Sequence, residues 1–494
     1  MNLPSLLASG KCLFVCILHQ PRSTDCRTRL HPVHAMRATR VAVGGVCAAI
    51  IAGTTVAGCR TENHQPGGDS ARADGATAAA RASDACSSDN GGLTLPAGFC
   101  ATVFADSIGH ARHLAVSPNG DVYVNTWSGA YYGGDKGPPG GYLVVLRDTT
   151  RDGHADVITR FGAKPATGGH GGTGIALHGG SLYAEEDGKI VRYALPASGG
   201  APAGNPETIV SGLPTTGDHP MHPFAIDSSG TLYVDLGSAT NACQLKNRVA
   251  GSPGHKPCTE LATRGGIWAY DANKTGQSFS PANRYATGIR NAVGIAIDPD
   301  GHLWSTQHGR DQLWDNWPKL YTTEQGENLP AEELLSIQKG ADYGWPMCYY
   351  DEQQHKLVLA PEYGGDGDNA VGDCASKQAP AAAFPAHWAP DGLVFYSGNQ
   401  FPGRYKGGAF IAFHGSWNRA PGPQGGYQVV FQPLSSGKVS GNYETFANGF
   451  AGGVMQPDAA KHRPAGIAVG PDGSLYVTDD KAGRVWRVTY RGGR

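Results

Sequence analysis

The sequence predicts an all-β fold, a six-bladed β-propeller with four-stranded antiparallel blades. Three observations lead to this prediction: a short motif recurs six times, glycine accounts for 72 of 494 residues, and only 17% of the residues are charged. Frequent glycine and few charges are typical of many tight turns between short buried strands, and not of long solvated helices.

The recurring motif is a hairpin of two short strands. Each copy has two or three apolar residues, a polar turn that carries glycine, and a strand that carries an aromatic residue. The copies lie at 114–124, 174–183, 224–234, 294–304, 392–396 with 408–412, and 466–477. The Asp-Gly, Asn-Gly, Ser-Gly or Gly-Gly pair of each clear copy supplies the positive φ angles of a tight turn. The alternating apolar residues then face neighbouring sheets.

One hairpin unit cannot bury both of its faces alone. A radial arrangement buries each face against a neighbour and protects the sheet edges, so a propeller is favoured over an open sandwich or a parallel helix of strands. The copies are unevenly spaced, and the longest connections lie between His308 and Asp391. We expect ligand-binding groups where such loops converge on one face of the ring.

The residues before the first repeat read as a targeting segment. From Met36, two arginines are followed by the apolar run 41–56 and then by Ala57-Gly58-Cys59, which resembles a bacterial lipobox. We expect residues 1–59 to be a targeting segment whose true start is Met36 and whose lipid anchor is Cys59. An ordinary signal peptide or a short membrane anchor is the alternative.

The chain beyond Cys59 divides into a linker and one folded domain. Residues 60–93 are rich in Ala, Gly, Asp and Ser without apolar periodicity, which is typical of a disordered linker. The propeller is expected to span 94–494, and the protein to be exported as a periplasmic or membrane-tethered lipoprotein.

Cysteine usage supports export. Six cysteines follow Cys59, an even number that fits disulfide bonds in an oxidising compartment. They fall into three pairs that are close in sequence: Cys86 with Cys100, Cys243 with Cys258, and Cys348 with Cys374. Fifteen pairings are possible, so this one is a hypothesis. Buried free thiols in a cytosolic protein are the alternative.

Charge and motif content exclude several functional classes. A net charge of -2 and a pI near 6.8 provide no basic surface for a nucleic acid. The chain has no His-Glu-x-x-His metal motif, and Ser416 lacks the Gly-x-Ser-x-Gly context of a catalytic serine. A nicotinamide dinucleotide is not expected either, because no glycine-rich loop opens a βαβ unit.

Several short motifs, in their order along the chain, resemble those of one known family. The motifs are 169–172 (GHGG), Asp218-His219, 288–294 (GIRNAVG), 307–311 (QHGRD), Glu333 with 339–346 (KGADYGWP), 414–419 (HGSWNR) and 462–466 (HRPAG). Over most of residues 94–494 the chain resembles the soluble sugar dehydrogenases that depend on pyrroloquinoline quinone (PQQ), which oxidise aldoses or sorbosone. Members of that family are six-bladed propellers that use PQQ and calcium.

The resemblance implies a general base at His219. A histidine with a pKa near neutral can take the hydroxyl proton of a sugar while a hydride leaves the carbon for the quinone. Asp218 is expected to orient His219 or to contact the substrate, and His222 could compete for the role of base. The alternative is a histidine that only bonds loop backbone.

The resemblance also implies cofactor contacts. Arg290 and Asn291 correspond to a pair that faces the quinone oxygens, and Arg290 is assigned a catalytic role in stabilising charge there. Arg419 and Arg463 are expected to bind the carboxylates of PQQ, with a surface salt bridge as the alternative for either. His170 is a further expected contact. Glucose-oxidising members have lysine where Arg419 falls and glutamine where His170 falls, which points away from strict glucose specificity.

Two calcium sites are implied in the same way. The family takes carbonyl ligands for one ion from a Gly-Pro step, which is Gly309-Arg310 here. Glu333 and the main chain at Tyr343 correspond to a second, structural calcium, with an ordinary acid and a packed aromatic turn as the alternative.

The sequence therefore predicts an oxidoreductase that oxidises an aldose or a related sugar aldehyde by hydride transfer to calcium-bound PQQ. An external acceptor, a cytochrome or a quinone, would receive the electrons, and the protein is expected to be a monomer or a homodimer. Two alternatives remain open. One is a calcium-dependent propeller hydrolase such as a lactonase, and the other is a propeller that binds a ligand without catalysis.

Overall fold

The structure, a computed structural model, describes residues 87–128, 136–163, 170–419 and 421–492. The predicted targeting segment 1–59 and most of the predicted linker lie outside these residues. Within them the chain forms six antiparallel four-stranded sheets arranged as the blades of a propeller, which confirms the predicted fold.

The first three blades follow one another along the chain. Blade 1 contains β2 (His110–Val116), β3 (Val122–Trp127), β4 (Leu143–Arg147) and β5 (Val157–Phe161). Blade 2 contains β6 (Ile175–His178), β7 (Ser181–Glu186), β8 (Lys189–Ala194) and β9 (Glu207–Ser211). Blade 3 contains β10 (Phe224–Ile226), β11 (Thr231–Leu236), β12 (Gly266–Asp271) and β14 (Arg284–Thr287), while β13 (Gln277–Ser278) pairs in parallel with β9.

The other three blades include the longest insertions. Blade 4 contains β15 (Ile295–Ile297), β16 (Leu303–Gln307), β17 (Glu332–Ser336) and β20 (Ala382–Phe384). Blade 5 contains β21 (Pro390–Phe395), β22 (Ala409–Phe413), β23 (Gln428–Gln432) and β26 (Glu444–Ala447). Blade 6 contains β27 (Pro464–Val469), β28 (Leu475–Asp479), β29 (Val485–Tyr490) and, as its outer strand, β1 (Phe99–Ala105).

The remaining elements lie in the connections. Two hairpins are formed by β18 (Cys348–Asp351) with β19 (Lys356–Leu359), and by β24 (Leu434–Ser435) with β25 (Lys438–Val439). The two α-helices of the described residues are α1 (Leu313–Asn316) and α2 (Thr323–Asn328). In the described part of the chain, no helix is both long and apolar enough to cross a bilayer.

The six sequence repeats form the first two strands of the six blades. The aromatic residue of the motif packs between neighbouring blades, which explains why the motif recurs once in each blade. Tyr123, Tyr183 and Trp304 are almost fully buried, and each packs in a hydrophobic cluster between its own blade and the next. Six such clusters separate the six pairs of neighbouring blades. The core is thus distributed around the ring, as expected when no blade can bury both faces alone.

In five of the six blades, a polar side chain two residues beyond the aromatic residue joins neighbouring blades, and we call it a latch. The latches are Asn125, Glu185, Asp235, Thr306 and Thr478, and each bonds to backbone that begins the next blade. For example, Thr306 Oγ1 donates to Pro390 O at 2.7 Å. Blade 5 has Ala412 at this position, and there a Cβ on Gly392 would lie 2.4 Å from Ala465 O, so the backbones themselves approach closely.

Two of the three predicted disulfides are present. Cys243–Cys258 staples the connection between β11 and β12, and Cys348–Cys374 staples the insertion between β17 and β20. The third predicted pair includes Cys86, which lies outside the described residues.

Candidate functional site

One face of the ring carries a central cavity of about 350 Å³. Because strands alternate in direction, the connections that follow the second and fourth strands of every blade end on the same face, which we call the cavity face. Side chains from blade 3 (His219), blade 4 (Arg290, Asn291), blade 5 (Asp391) and blade 6 (Arg463) line the cavity. Because Arg112 of blade 1 also lines the cavity, groups up to 351 residues apart in sequence surround one space.

His219 lies on the cavity wall with one ring nitrogen fixed. Its Nδ1 is 2.9 Å from Ser238 O, and because a carbonyl can only accept, the proton resides on Nδ1. The lone pair of Nε2 is then free, and no described residue forms a hydrogen bond with it. Gly237 permits this arrangement, since a Cβ there would lie 2.6 Å from His219 Cβ.

The charge state of His219 suits a proton acceptor. Burial, and next the positive charge of Arg290, lowers the pKa of His219 well below its usual value. The imidazole is therefore neutral at neutral pH, with Nε2 ready to accept a proton.

Asp218 lies beside His219 but does not orient it, so that part of the prediction is wrong. Ser238 holds the imidazole instead, while the Asp218 carboxylate accepts from Arg248 Nε at 3.0 Å and from Asn247 Nδ2. Asp218 does line the cavity, which leaves it available to a ligand. His222, the predicted competitor, is not among the cavity residues. Its Nδ1 bonds to buried Glu185 and its Nε2 to Pro214 O, so both nitrogens are engaged.

Arg290 is held in the cavity wall by a buried carboxylate. Its Nη2 is 2.9 Å from Asp311 Oδ2, and that same oxygen accepts from Arg248 Nη2 at 3.0 Å. Burial alone would raise the pKa of Asp311, but the charges of Arg290 and then Arg248 outweigh it and hold this pKa far below its usual value. Asn418 Nδ2 donates to the other carboxylate oxygen at 2.6 Å.

Asn291 and Arg463 present hydrogen-bond donors that protein groups leave free. The Asn291 amide lines the cavity and has no hydrogen-bond partner among the described residues. Arg463 donates to the carbonyls of His414 and Gly415 and lies over the Tyr427 ring, but forms no ion pair with a described carboxylate. Arg463 is thus a cation of the cavity without an anionic partner in this part of the chain.

A buried charge cluster lies beside these groups, and the sequence analysis missed it. Arg112 is 3.1 Å from Asp391 and 2.6 Å from Asp480, and His414 Nε2 is 2.7 Å from Asp480. His308 Nε2 is 3.2 Å from Asp391. Asp391, His414 and Asp480 are close enough together to hold a metal ion, but Arg112 already supplies the positive charge there.

In the first predicted calcium site, the Gly309 carbonyl already accepts a hydrogen bond. Gly309 lines the cavity, but its carbonyl accepts from Arg290 Nη1 at 3.0 Å. The side chain of Arg310 points elsewhere, into a buried ion pair with Glu362 at 2.5 Å. An ion bound to Gly309 O would share that oxygen with the Arg290 guanidinium, which is itself a cation.

The second predicted calcium site consists of the Glu333 carboxyl and the main chain at Tyr343, and the Glu333 carboxyl already has a protein partner. Glu333 is buried and accepts from Gln307 Nε2 at 2.9 Å, while burial raises its pKa to about 8. Tyr343 is a core residue whose hydroxyl donates to Ser336 O. The neighbouring Glu332 does line the main cavity, and burial raises its pKa to about 7.

Two predicted cofactor contacts are not among the cavity residues. His170 stacks on Trp127 with ring centroids 5.4 Å apart. Arg419 donates to Pro423 O, Ala386 O and Asn328 Oδ1. The motif of residues 414–419 does reach the cavity, but through His414, Gly415, Trp417 and Asn418, because the chain turns away at Arg419.

A family model described as TrAA12-like matches residues 93–491 of the chain. Over 238 residues the chain is 27% identical to a pyrroloquinoline quinone-dependent pyranose dehydrogenase of Coprinopsis cinerea, a stretch that covers 41% of this chain and 30% of that protein. Over 281 residues it is 24% identical to the aldose sugar dehydrogenase YliI of Escherichia coli, covering 56% and 62%. In each case the chain spans less than two thirds of the curated relative.

Two solved structures share the fold. The holo form of the pyranose dehydrogenase PQQ domain from Coprinopsis cinerea has a TM-score of 0.62 at 19% identity and matches 80% of this chain and 97% of that chain. The calcium structure of a Trichoderma reesei enzyme of carbohydrate-active family AA12 has a TM-score of 0.60 at 18% identity, with 81% and 97% covered.

Proposed function

The chain belongs to the TrAA12-like family, and we propose that it is a PQQ-dependent oxidoreductase that oxidises an aldose or a related sugar aldehyde. One observation carries the proposal: the free lone pair of His219 Nε2 faces a cavity that also presents Arg290, Asn291 and Arg463. A proton acceptor beside anion-binding donors is what oxidation of an alcohol by an anionic quinone requires. Relatives named as sugar dehydrogenases support the same chemistry.

The cavity fits the cofactor. PQQ carries three carboxylates, and the guanidinium of Arg463, which lacks a described anionic partner, matches a carboxylate with two parallel hydrogen bonds. The unpartnered Asn291 amide can donate to a quinone oxygen. A volume of about 350 Å³ lies within the range of small-molecule sites. These residues would hold the cofactor.

Each catalytic role follows from a contact in the cavity. When bound, the quinone supplies an acceptor for the hydride of the carbon that bears the reacting hydroxyl. His219 Nε2 takes the hydroxyl proton, and Ser238 keeps the ring oriented by accepting from Nδ1. Arg290, fixed by Asp311, holds positive charge where negative charge develops. Asp218 lines the cavity as an acceptor for a sugar hydroxyl.

Calcium is a separate part of the proposal. The calcium structure of the Trichoderma reesei enzyme supports an ion in this fold. In this chain, Gly309 O is the cavity carbonyl proposed to bind it, but Arg290 occupies that oxygen. The fit is therefore incomplete, and we assign the ion no chemical step.

Export to an oxidising compartment is proposed on the two disulfides and on the lipobox-like sequence that ends at Cys59. We propose that an external acceptor receives the electrons there. Membrane association that is lost in a Cys59→Ser variant would support a lipid anchor, and a cytoplasmic location of the wild-type protein would contradict export.

Reconstitution tests the function. The purified chain, loaded with PQQ and calcium, should reduce a redox dye only when an aldose or a sugar aldehyde is added. The His219→Gln variant should lose about 10²- to 10⁴-fold in kcat because the proton acceptor is gone. His222→Gln is the matched control, since His222 lies outside the cavity and its loss should affect folding more than turnover.

Absence of dye reduction with every aldose, together with no spectral change of the quinone, would contradict the proposal. A wild-type activity that His219→Gln leaves unchanged would show that another group takes the proton.

A further inference from the structure

Trp417 combines high exposure with a place in the cavity wall. Seven large apolar side chains are exposed in the described part of the chain, and the indole of Trp417 is 53% exposed. It is the one of these seven that lines the cavity. Leu245, for comparison, is 56% exposed on the same face but does not line it. Contact between the apolar indole surface and water is unfavourable, and a ligand that covers this surface would recover that free energy.

The backbone around Trp417 is fixed, so the indole is presented by a rigid loop. Ser416 is fully buried, with its N–H donating to Gly425 O at 2.8 Å and its hydroxyl donating to Gln424 Oε1 at 2.6 Å. Tyr427 Oη donates to Ser416 O at 2.8 Å. On the other side, Asn418 bonds to Asp311. Because these hydrogen bonds fix the residues on both sides of Trp417, its exposed aromatic surface is preorganised for binding.

The bond from Asn418 to Asp311 also relates Trp417 to the reacting groups. Asp311 binds Arg290 and Arg248 through one carboxylate oxygen and Asn418 through the other. Trp417 therefore directly precedes a residue that is bonded to the same carboxylate that fixes Arg290. His219, in contrast, is only 8% exposed. The indole thus belongs to the outer end of the cavity and His219 to its inner end.

Polar groups at the outer end complete the surroundings of the indole. The side chains of Asp218 and Arg248 are 24% and 28% exposed, and both line the cavity. An aromatic face next to fixed, partly exposed donors and acceptors matches the two surfaces of a sugar ring, which has an apolar C–H face and a rim of hydroxyls. A flat protein partner would not need a group that lines a recess.

We propose that Trp417 is the platform of an outer sugar subsite, which binds the saccharide unit attached to the sugar being oxidised. This inference rests on the proposed function and refines its substrate class, since saccharides of two or more units should be preferred over single sugars. Only the reducing-end ring needs to reach His219, so the next unit extends toward the mouth, where the indole stands. Trp417 is then a specificity-determining residue with no part in the proton transfer.

Kinetics with glucose and cellobiose test the subsite, with a small dye as the acceptor. Trp417→Ala should lower kcat/KM for cellobiose about tenfold and should change that for glucose less than about twofold. Trp417→Phe should retain most of the cellobiose activity. Leu245→Ser is the matched control and should change neither value, because Leu245 is equally exposed on the same face but lies outside the cavity.

Direct binding separates this inference from the proposed function. Calorimetric titration with cellobiose should give a measurable affinity for the wild-type protein that Trp417→Ala lowers about tenfold and Leu245→Ser does not. If the protein binds cellobiose in this pattern but oxidises no sugar, the subsite stands and the proposed oxidation fails. If sugars are oxidised but Trp417→Ala leaves the ratio of cellobiose to glucose unchanged, or if the wild type binds no cellobiose, the subsite is overturned.

Discussion

Replacement of Asp311 by asparagine should destabilise the protein far more than the same change at Asp218. Its carboxylate accepts from Arg290 Nη2 at 2.9 Å, Arg248 Nη2 at 3.0 Å and Asn418 Nδ2 at 2.6 Å. Arg290 is only 4% exposed, so its charge cannot return to water without opening the site. Breaking a buried ion pair by removing one partner costs about 3–5 kcal/mol, because the other charge stays buried.

Asp218 provides the matched control, since it binds the same Arg248. The Asp218 and Arg248 side chains are 24% and 28% exposed, and such accessible ion pairs contribute about 0–1 kcal/mol. Asp218→Asn should therefore cost no more than about 1 kcal/mol. The two variants make the same chemical change and differ in burial and in the number of charged partners.

Urea unfolding of the cofactor-free protein measures both values. The loss from Asp311→Asn should persist at about 1 M salt, whereas any loss from Asp218→Asn should shrink, because exposed charges are screened at that ionic strength. Equal losses from the two variants would contradict this prediction, since burial of Arg290 would then have no energetic consequence.

Three further outcomes are expected. Arg463→Ala should weaken PQQ binding by about 10- to 100-fold in a fluorescence titration, while Arg419→Ala should leave it unchanged because Arg419 lies outside the cavity. Thr306→Val should cost about 1–3 kcal/mol in urea unfolding, because Pro390 O loses its donor in a buried place, whereas Thr150→Val on the surface should cost little. Burial raises the pKa of Glu333 to about 8 and that of Glu332 to about 7, so both carboxyl groups make the folded state less stable as the pH rises above their unfolded pKa. Glu333 alone should contribute a loss of up to about 4 kcal/mol between pH 4.5 and 8 in the cofactor-free protein, and Glu333→Gln should make this slope shallower without abolishing it.

The inner halves of the blades were predictable because their signals are local. A glycine turn and an aromatic residue at fixed spacing specify the first two strands, and Tyr123 and Tyr183 pack as this pattern requires. The third and fourth strands carry no comparable signal. The pairing of β1 with β29 was beyond sequence reasoning, since it joins residues nearly 400 positions apart.

The site was predictable only where a motif is short and continuous. Asp218, His219, Arg290 and Asn291 line the cavity as expected from their place between strands. Arg419 is five residues from His414 in one motif, yet it faces away, because the direction of a loop side chain depends on bonds that no spacing rule describes. The residues of the cluster, Arg112, Asp391 and Asp480, come from three different blades, so no single segment of the sequence could predict it.

The latches make the positions of the cavity groups depend on the closure of the ring. Asp235 accepts from the N–H of Ala292, which follows Asn291; Thr306 donates to Pro390 O, which precedes Asp391. Thr478 donates to the carbonyl of Arg112 itself. Three of the five latches therefore end on the backbone of a cavity residue or of its immediate neighbour in sequence. Opening of these three junctions between blades must move a group of the site, so at these positions an accurate site requires a closed ring.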